Sequence, residues 1–438
     1  MRVGVAEPGN GREVGTKSAH TRAEDPRTVS VGGLASPFGG RGPGCGSGGA
    51  AADQSRTDTV EGAGESTASG IGYVRHLYVH LPFCAHRCGY CDFVTVVGRQ
   101  RQHGAYVDAL LAELALERQT LAAAPDTIFL GGGTPTFTEP TELARLLAAL
   151  PATQELTVEA NPETVTPELA ALLREHRVNR ISLGAQSFQP HLLATLERRA
   201  EPGTVRAAFP TLRDAGFDNL SLDLVYGIPG QTVADLEADL AEALALVPEH
   251  LSCYELEAKP GTRFTHAHGD ELSRQADAME GYFERVVETL TAAGFRWYET
   301  ANFCRHDARD LRAQHNLGYW RGRDYLGLGV GAVSTVNARR WQNTPSLPRY
   351  LDALERGERP AREVEPLAPH TRATELLLLG LRLDEPLSTR GLTDAIDADA
   401  LGRLERGGLA RVLDSGRALT LTPRGRFLGG GVTAELLV

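Results

Sequence analysis

Long apolar runs are missing from this chain: no stretch of its 438 residues approaches the roughly 20 apolar residues that cross a bilayer. A basic start followed by an apolar stretch is missing too, so no secretory signal is read. Positive charge is in deficit, with a formal net charge of −11. That excludes a general nucleic-acid binder, which needs a basic face. Cysteine is scarce: six in a chain of this length make no disulfide framework. Three of the six lie within eight residues, which in a reducing compartment points to metal rather than disulfide chemistry. These absences leave a soluble cytoplasmic protein as the expectation, long enough for one large domain and one or two small ones.

Residues 1 to about 70 are rich in Gly, Ser, Thr, Arg and Pro and show no apolar periodicity. Such a segment cannot bury enough surface to offset its ordering entropy, so a disordered extension is expected over 1–70. Its acids Glu7, Glu13, Glu24 and Asp25 argue against organelle import. Met279 is the next methionine after Met1, so a start inside the extension would need a non-Met codon.

From Tyr73 the pattern changes. HLYVHLP reads as a short strand, and a helix is expected from about His103 to Ala123 by its three- and four-residue apolar spacing. The alternation then continues: TIFL strand, helix near Glu139–Leu150, ELTVEA strand, PELAALLREH helix, RISLGAQ strand, helix to Ala215. LSLDLVYG, ADLEADLAEALAL and HLSCYELE follow as strand, helix and strand. Thr232 and Asp235 have capping-box spacing. Six strand–helix units in series predict an α/β fold, an incomplete parallel β/α (TIM-like) barrel. After about Pro366 two helices and the hairpin-like LARVLDSGRALTLT read as a small C-terminal α+β domain of winged-helix type, or simply as packing against the barrel. The expected parts are 1–70, a barrel over 73–305, a connecting region over 306–365, and 366–438.

Cys84, Cys88 and Cys91 form a C-x3-C-x2-C loop directly after a strand. Three thiolates on one tight loop can ligate three irons of a 4Fe-4S cubane and leave the fourth open. An open iron is what S-adenosylmethionine (SAM) needs in order to chelate and undergo one-electron cleavage to a 5′-deoxyadenosyl radical. The alternative is zinc with His80 or His86 as fourth ligand, but structural zinc usually pairs two C-x2-C units and no second one exists. Cys45, Cys253 and Cys304 are singletons.

Active sites of α/β barrels lie at the C-terminal ends of the strands. There this chain has Gly131-Gly132-Gly133-Thr134, then Glu159, Gln186 and Asp223 on the following strands. A lone acid at a strand end is usually a cap or an ion-pair partner. Four consecutive strands delivering polar groups or bare backbone to one rim predict a site. Bare glycine backbone can approach the SAM amino group, Glu159 can accept from it, Arg198 can neutralise the methionyl carboxylate, and Asp223 can hold a ribose hydroxyl.

YVHLPFCAHRCGYCDF, GGGTPT, VEANP, SLGAQSF and DLVYGIPGQT together resemble the HemN/HemW branch of the radical SAM proteins, from about Tyr73 to the C-terminal appendage. That branch contains oxygen-independent coproporphyrinogen III dehydrogenase and haem chaperones. The resemblance implies Cys84, Cys88 and Cys91 as cluster ligands. It also implies Tyr78, Tyr90, Gly132, Gly133, Thr134, Glu159, Gln186, Arg198 and Asp223 as the SAM site.

Three features favour the chaperones over the dehydrogenase. Phe93 stands where the dehydrogenase has a fourth cysteine. The segment before Tyr73 does not resemble its ordered lid. His315-Asn316-Leu317-Gly318-Tyr319-Trp320 matches the HNxxYW signature of the chaperones. An imidazole at His315 could ligate haem iron, and Tyr319 and Trp320 offer flat faces to a porphyrin. The bland alternative is a surface histidine beside two core aromatics. Relatives often carry histidines where this chain has Ala200 and Val333, so His315 becomes the first candidate iron ligand, with His306 and Cys304 behind it. The resemblance further implies haem delivery to a respiratory haem-protein acceptor, peripheral membrane contact at most, and cluster-dependent dimerisation.

Overall fold

The computed structural model describes residues 73–257 and 263–438; the expected disordered extension and Cys45 lie outside them. Six parallel strands follow one another in chain order: β1 His76–Leu81, β2 Thr127–Gly132, β3 Glu155–Ala160, β4 Arg180–Gln186, β5 Leu220–Tyr226 and β6 His250–Glu255. The intervening helices include α1 His103–Leu116, α2 Pro140–Ala149, α3 Pro167–Glu175, α4 Pro202–Asp214 and α5 Val233–Ala245. Beyond β6, β7 Phe295–Trp297 and β8 Asn302–Arg305 run antiparallel, and β9 Leu326–Leu328 returns to lie parallel to β1. The nine-stranded order is β9-β1-β2-β3-β4-β5-β6-β8-β7, open between β9 and β7. This is the mostly parallel, unclosed α/β sheet that the strand–helix alternation predicts.

Period-two patterning explains how the sheet holds a site. Leu77, Val79, Ile128, Leu130, Leu156, Val158, Ile181 and Leu183 belong to the buried core. Their neighbours Phe129, Glu159, Arg180, Ser182, Asp223 and Ser252 line an internal cavity instead. One face is therefore apolar and packed, and the other is largely polar and hollow.

Local signals behave as expected where nothing competes with them. Thr232 and Asp235 form a reciprocal capping box at the start of α5. The helix expected to reach Ala123 stops at Leu116, because the chain beyond it is recruited by the first strand region. Val74 donates to Thr120 O and Ala122 donates to Val74 O, both at 2.9 Å.

Glu113 of α1, fully buried, ties the returning segment to the barrel. It accepts from Gly329 N at 2.8 Å, Asn343 Nδ2 at 2.7 Å and Tyr350 Oη at 2.7 Å. A buried carboxylate is tolerable when bonded on this scale. The chain continues through an antiparallel sheet of β10 Val333–Val336, β11 Arg339–Asn343 and β12 Arg362–Pro366. The C-terminal part has its own cluster around Leu377, Leu404, Leu419 and Leu436. Its three-stranded antiparallel sheet is built from β13 Leu387–Ser388, β14 Ala410–Leu413 and β15 Ala418–Leu421. Arg296 reaches Asp384 through two bonds of 2.7 and 2.9 Å, joining this part to the edge of the large sheet.

Candidate cofactor site

β1 leads through Pro82 into Phe83–Cys84, which pairs in parallel with Val96–Val97 and closes the cysteine loop at its base. Inside the loop, Cys91 N donates to Cys88 O at 3.2 Å. The glycine loop after β2 docks against this base: Gly133 N donates to Leu81 O at 2.8 Å and Thr134 N to Phe83 O at 2.9 Å. Gly132 has φ +110°, a conformation favouring glycine. A Cβ on Gly133 would come within 2.6 Å of the Pro82 carbonyl carbon. The glycines are thus required by the close fit of two loops, a reason beyond the expected approach of SAM.

Cys84, Cys88 and Cys91 all open on one cavity of about 330 Å³. The same cavity is lined by Tyr90, Gly132, Gly133, Thr134, Glu159, Gln186, Arg198 and Asp223. The rim expected from the strand ends is therefore assembled, with Asp223 one layer deeper, in mid-strand. Tyr78 stands apart from it. It is 2% exposed, hydrogen-bonded to His80 Nδ1 at 2.9 Å, and supports the wall from behind.

Hydrogen bonds order the rim. Glu159 Oε2 accepts from Gly132 N at 3.1 Å. Burial, reinforced by the Asp223 carboxylate, pushes the Glu159 carboxyl up to about 8. Burial likewise raises Asp223, against the donors Ser252 and Ser182, the latter at 3.0 Å. Gln186 adopts φ +66° at a bulge between β4 and β5, a strained conformation that re-aims its side chain. Arg198 donates to Asn161 Oδ1 and to Gly184 O, each at 2.9 Å.

The donor chemistry fits an iron–sulfur cluster. Thr134 Oγ1 donates to Cys84 Sγ and an Arg198 nitrogen to Cys88 Sγ, both at 3.6 Å. Donors aimed at sulfur suit thiolate ligands and tune a cluster. Burial pushes the Cys91 thiol up to about 11 and raises Cys84, so these sulfurs need a cationic partner to ionise. No group of three or more His, Cys, Asp or Glu among the described residues is gathered to hold a single metal ion; a cubane asks for one thiolate on each of three irons. His80, weighed as a zinc ligand, has both ring nitrogens engaged, with Tyr78 and with Val94 O at 2.8 Å. Cys253 and Cys304 are buried away from the loop.

Tyr319 and Trp320 line the same cavity, together with Asn316. His315 does not. It is 1% exposed, with Nδ1 bonded to Thr127 Oγ1 at 2.7 Å and Nε2 to Tyr319 Oη at 2.9 Å. Its backbone N–H donates to Glu155 at 2.9 Å, and burial lowers its pKa well below the ordinary value. This corrects the expectation of an imidazole open to an iron. The motif's histidine belongs to the core, wedged behind Tyr319. Among the alternatives, His306 is exposed and Cys304 is buried.

Several lining residues escaped the sequence reading, among them Asn161, Arg180 and Ser182. Asn161 bridges Thr134 Oγ1 and Arg198, both at 2.9 Å. Its position two beyond Glu159 was the available signal. Arg180 and Ser182 share the inward face of β4 with Gln186, which strand alternation alone would have shown.

Known proteins resemble this arrangement. A model of the radical SAM superfamily matches residues 78–243. Heme chaperone HemW of Mycobacterium tuberculosis is 36% identical over 377 residues, 82% of this chain and 94% of that protein. The Bacillus subtilis protein of the same name is 33% identical over 386 residues, covering 83% and 99%. Among solved structures, coproporphyrinogen III oxidase (HemN) from Escherichia coli aligns with a TM-score of 0.71 at 23% identity, over 84% of this chain and 91% of that one. That last likeness concerns the fold. With a radical SAM match over the barrel and near full-length identity to these relatives, the chain belongs to the HemW family of radical SAM proteins.

Proposed function

We propose that this chain binds haem and delivers it to a respiratory haem-protein acceptor, carrying a 4Fe-4S cluster and SAM beside the haem site. The observation that carries the reading is the extent of likeness to relatives named heme chaperones, 94% and 99% of the length of the two described above. The continuity of one cavity from the cysteine loop to Tyr319 and Trp320 supports it.

In this reading Cys84, Cys88 and Cys91 hold the cluster. Such a group would supply the electron for one-electron cleavage of the SAM sulfonium bond. Glu159 takes the SAM amino group on the oxygen not used by Gly132, and Arg198 neutralises the carboxylate. Asp223 takes a ribose hydroxyl, while Tyr90, Gly132, Gly133, Thr134 and Gln186 complete the walls. Tyr319 and Trp320 meet the porphyrin, and His315 acts through Tyr319. Residues 73–305 form the cofactor barrel, 306–365 the haem-contacting and connecting region, and 366–438 a small winged-helix-like domain. The protein works in the cytoplasm and meets the membrane peripherally; among the described residues no helix is long and apolar enough to cross it.

The test is haem titration of the anaerobically reconstituted protein by visible spectroscopy, with coproporphyrinogen III turnover followed in parallel. A stoichiometric Soret shift without carbon dioxide release supports the reading. Decarboxylation without haem binding replaces it with the dehydrogenase.

A further inference from the structure

Arg180 opens β4 and is 2% exposed, the largest fully buried side chain described. Its partners do not account for it. Among the described residues its Nε has no hydrogen-bond partner. The acids around it take their hydrogen bonds elsewhere. Glu155 accepts from the backbone of Gln314 and His315 at 3.0 and 2.9 Å, Asp223 from Ser182, and Glu159 from Gly132. Arg180 acts on these three only through space, pulling against the burial that raises each carboxyl. A buried guanidinium with Nε unbonded is costly even with acids nearby, and this one lines a cavity.

A second orphaned donor lines that cavity. Trp320 Nε1 has no partner among the described residues, and its ring is covered by the Arg382 guanidinium at 4.5 Å. Arg382 is itself committed to the buried Glu299 at 2.6 Å. Asn302 Oδ1 is likewise unpartnered and, as an acceptor, suits a water shared with a bound anion. A buried guanidinium and an indole N–H without acceptors, beside flat aromatic surface, match an organic anion with a broad apolar body.

We propose that Arg180 and Trp320, which line the same cavity as the residues assigned to SAM, form a carboxylate subsite that receives a propionate of the bound tetrapyrrole. The inference rests on the haem-binding reading and adds which group of the ligand enters the barrel and what holds it. Burial of that carboxylate against Arg180 gives the guanidinium Nε the partner it lacks, and exclusion of water strengthens the pair. Trp320 does two jobs, with its face against the macrocycle and its N–H toward the carboxylate.

The experiment compares haem with haem dimethyl ester, whose iron and ring are unchanged but whose carboxylates are masked. Both are titrated into the full-length reconstituted wild type, Arg180→Gln and Arg180→Lys. Wild type is expected to bind haem at least tenfold more tightly than the ester. Arg180→Gln is expected to weaken haem about tenfold, leave the ester unchanged and so erase the preference, while Arg180→Lys keeps part of it. Equal affinity of wild type for acid and ester overturns the subsite and leaves haem binding standing, a result that needs no variant to fold. Preservation of the acid preference in folded Arg180→Gln overturns it as well. No binding of either ligand overturns the haem reading and the subsite with it.

Discussion

Arg198 donates to the side-chain oxygen of Asn161 at 2.9 Å, and through this contact the strand end carrying Glu159 is coupled to the sulfur of Cys88. The Asn161 amide also donates to Thr134, whose hydroxyl reaches Cys84. One amide side chain therefore positions donors to two of the three sulfurs. A hydrogen bond to a charged group contributes about 1.5–3 kcal/mol. Asn161→Ala is expected to weaken SAM binding by roughly tenfold or more while iron content stays at the wild-type level. Anaerobic equilibrium dialysis with labelled SAM, alongside iron analysis, measures both.

Glu159 sets a pH dependence of stability. Its carboxyl lies at about 8 in the folded protein, raised by burial and by Asp223, against about 4.3 for an ordinary glutamate. Between these values the folded state holds more protons than the unfolded state, so its stability falls as pH rises. Glu159→Gln removes this loss. The variant should gain stability relative to wild type as pH increases through that window, with the difference levelling off above about 8. Thermal unfolding of both proteins from pH 5 to pH 9 checks the sign. A difference that shrinks with rising pH would sink the assignment.

Gly133 has no room for a side chain. A Cβ would meet the Pro82 carbonyl at 2.6 Å to carbon and 2.7 Å to oxygen, and backbone cannot swing aside as a long side chain can. Gly133→Ala is expected to cost about 1–3 kcal/mol, as overpacking does. The displacement should fall on the segment entering the cysteine loop. Iron retention after reconstitution should drop together with the denaturation midpoint, whereas a loop that served only SAM would lose SAM binding alone.

His315 and Tyr319 act as a unit in the core. Removing the imidazole takes one hydrogen-bond partner from each of the Thr127 and Tyr319 hydroxyls and leaves a void, at a combined cost of about 2–4 kcal/mol. Tyr319→Phe should cost about 1 kcal/mol in wild type and less in the His315→Ala background, because the bond it deletes is already gone. Urea unfolding of the four proteins in the cycle measures the coupling. Additive losses would dissolve the unit.

Much of this was readable from local order along the chain. Cys84, Cys88 and Cys91 announce themselves by spacing, since three ligands on one loop need no distant partner. Glu159 and Gln186 are readable because parallel strands put their ends on one rim whatever the helices between them do, whereas Asp223 lies one layer deeper, in mid-strand. The capping box of Thr232 and Asp235 lies within four residues. Harder to read were contacts across the fold. Asn161 looks like a turn residue before Pro162 until Arg198, 37 positions later, arrives on it. Helix α1 has the apolar spacing to continue past Leu116, but Val74 claims Thr120 and Ala122.

The sequence by itself determined the strand–helix alternation, the thiol loop and the polar rim, because each rests on periodicity or spacing within a short window. Only the tertiary structure decided that His315 is sealed into the core while Trp320 borders the cavity, and that Arg180 is buried with its Nε unbonded among the described residues. Which face of a helix meets the barrel, and whether a charge finds its mate, depend on how strands far apart in sequence come into register, a relation that no local window contains.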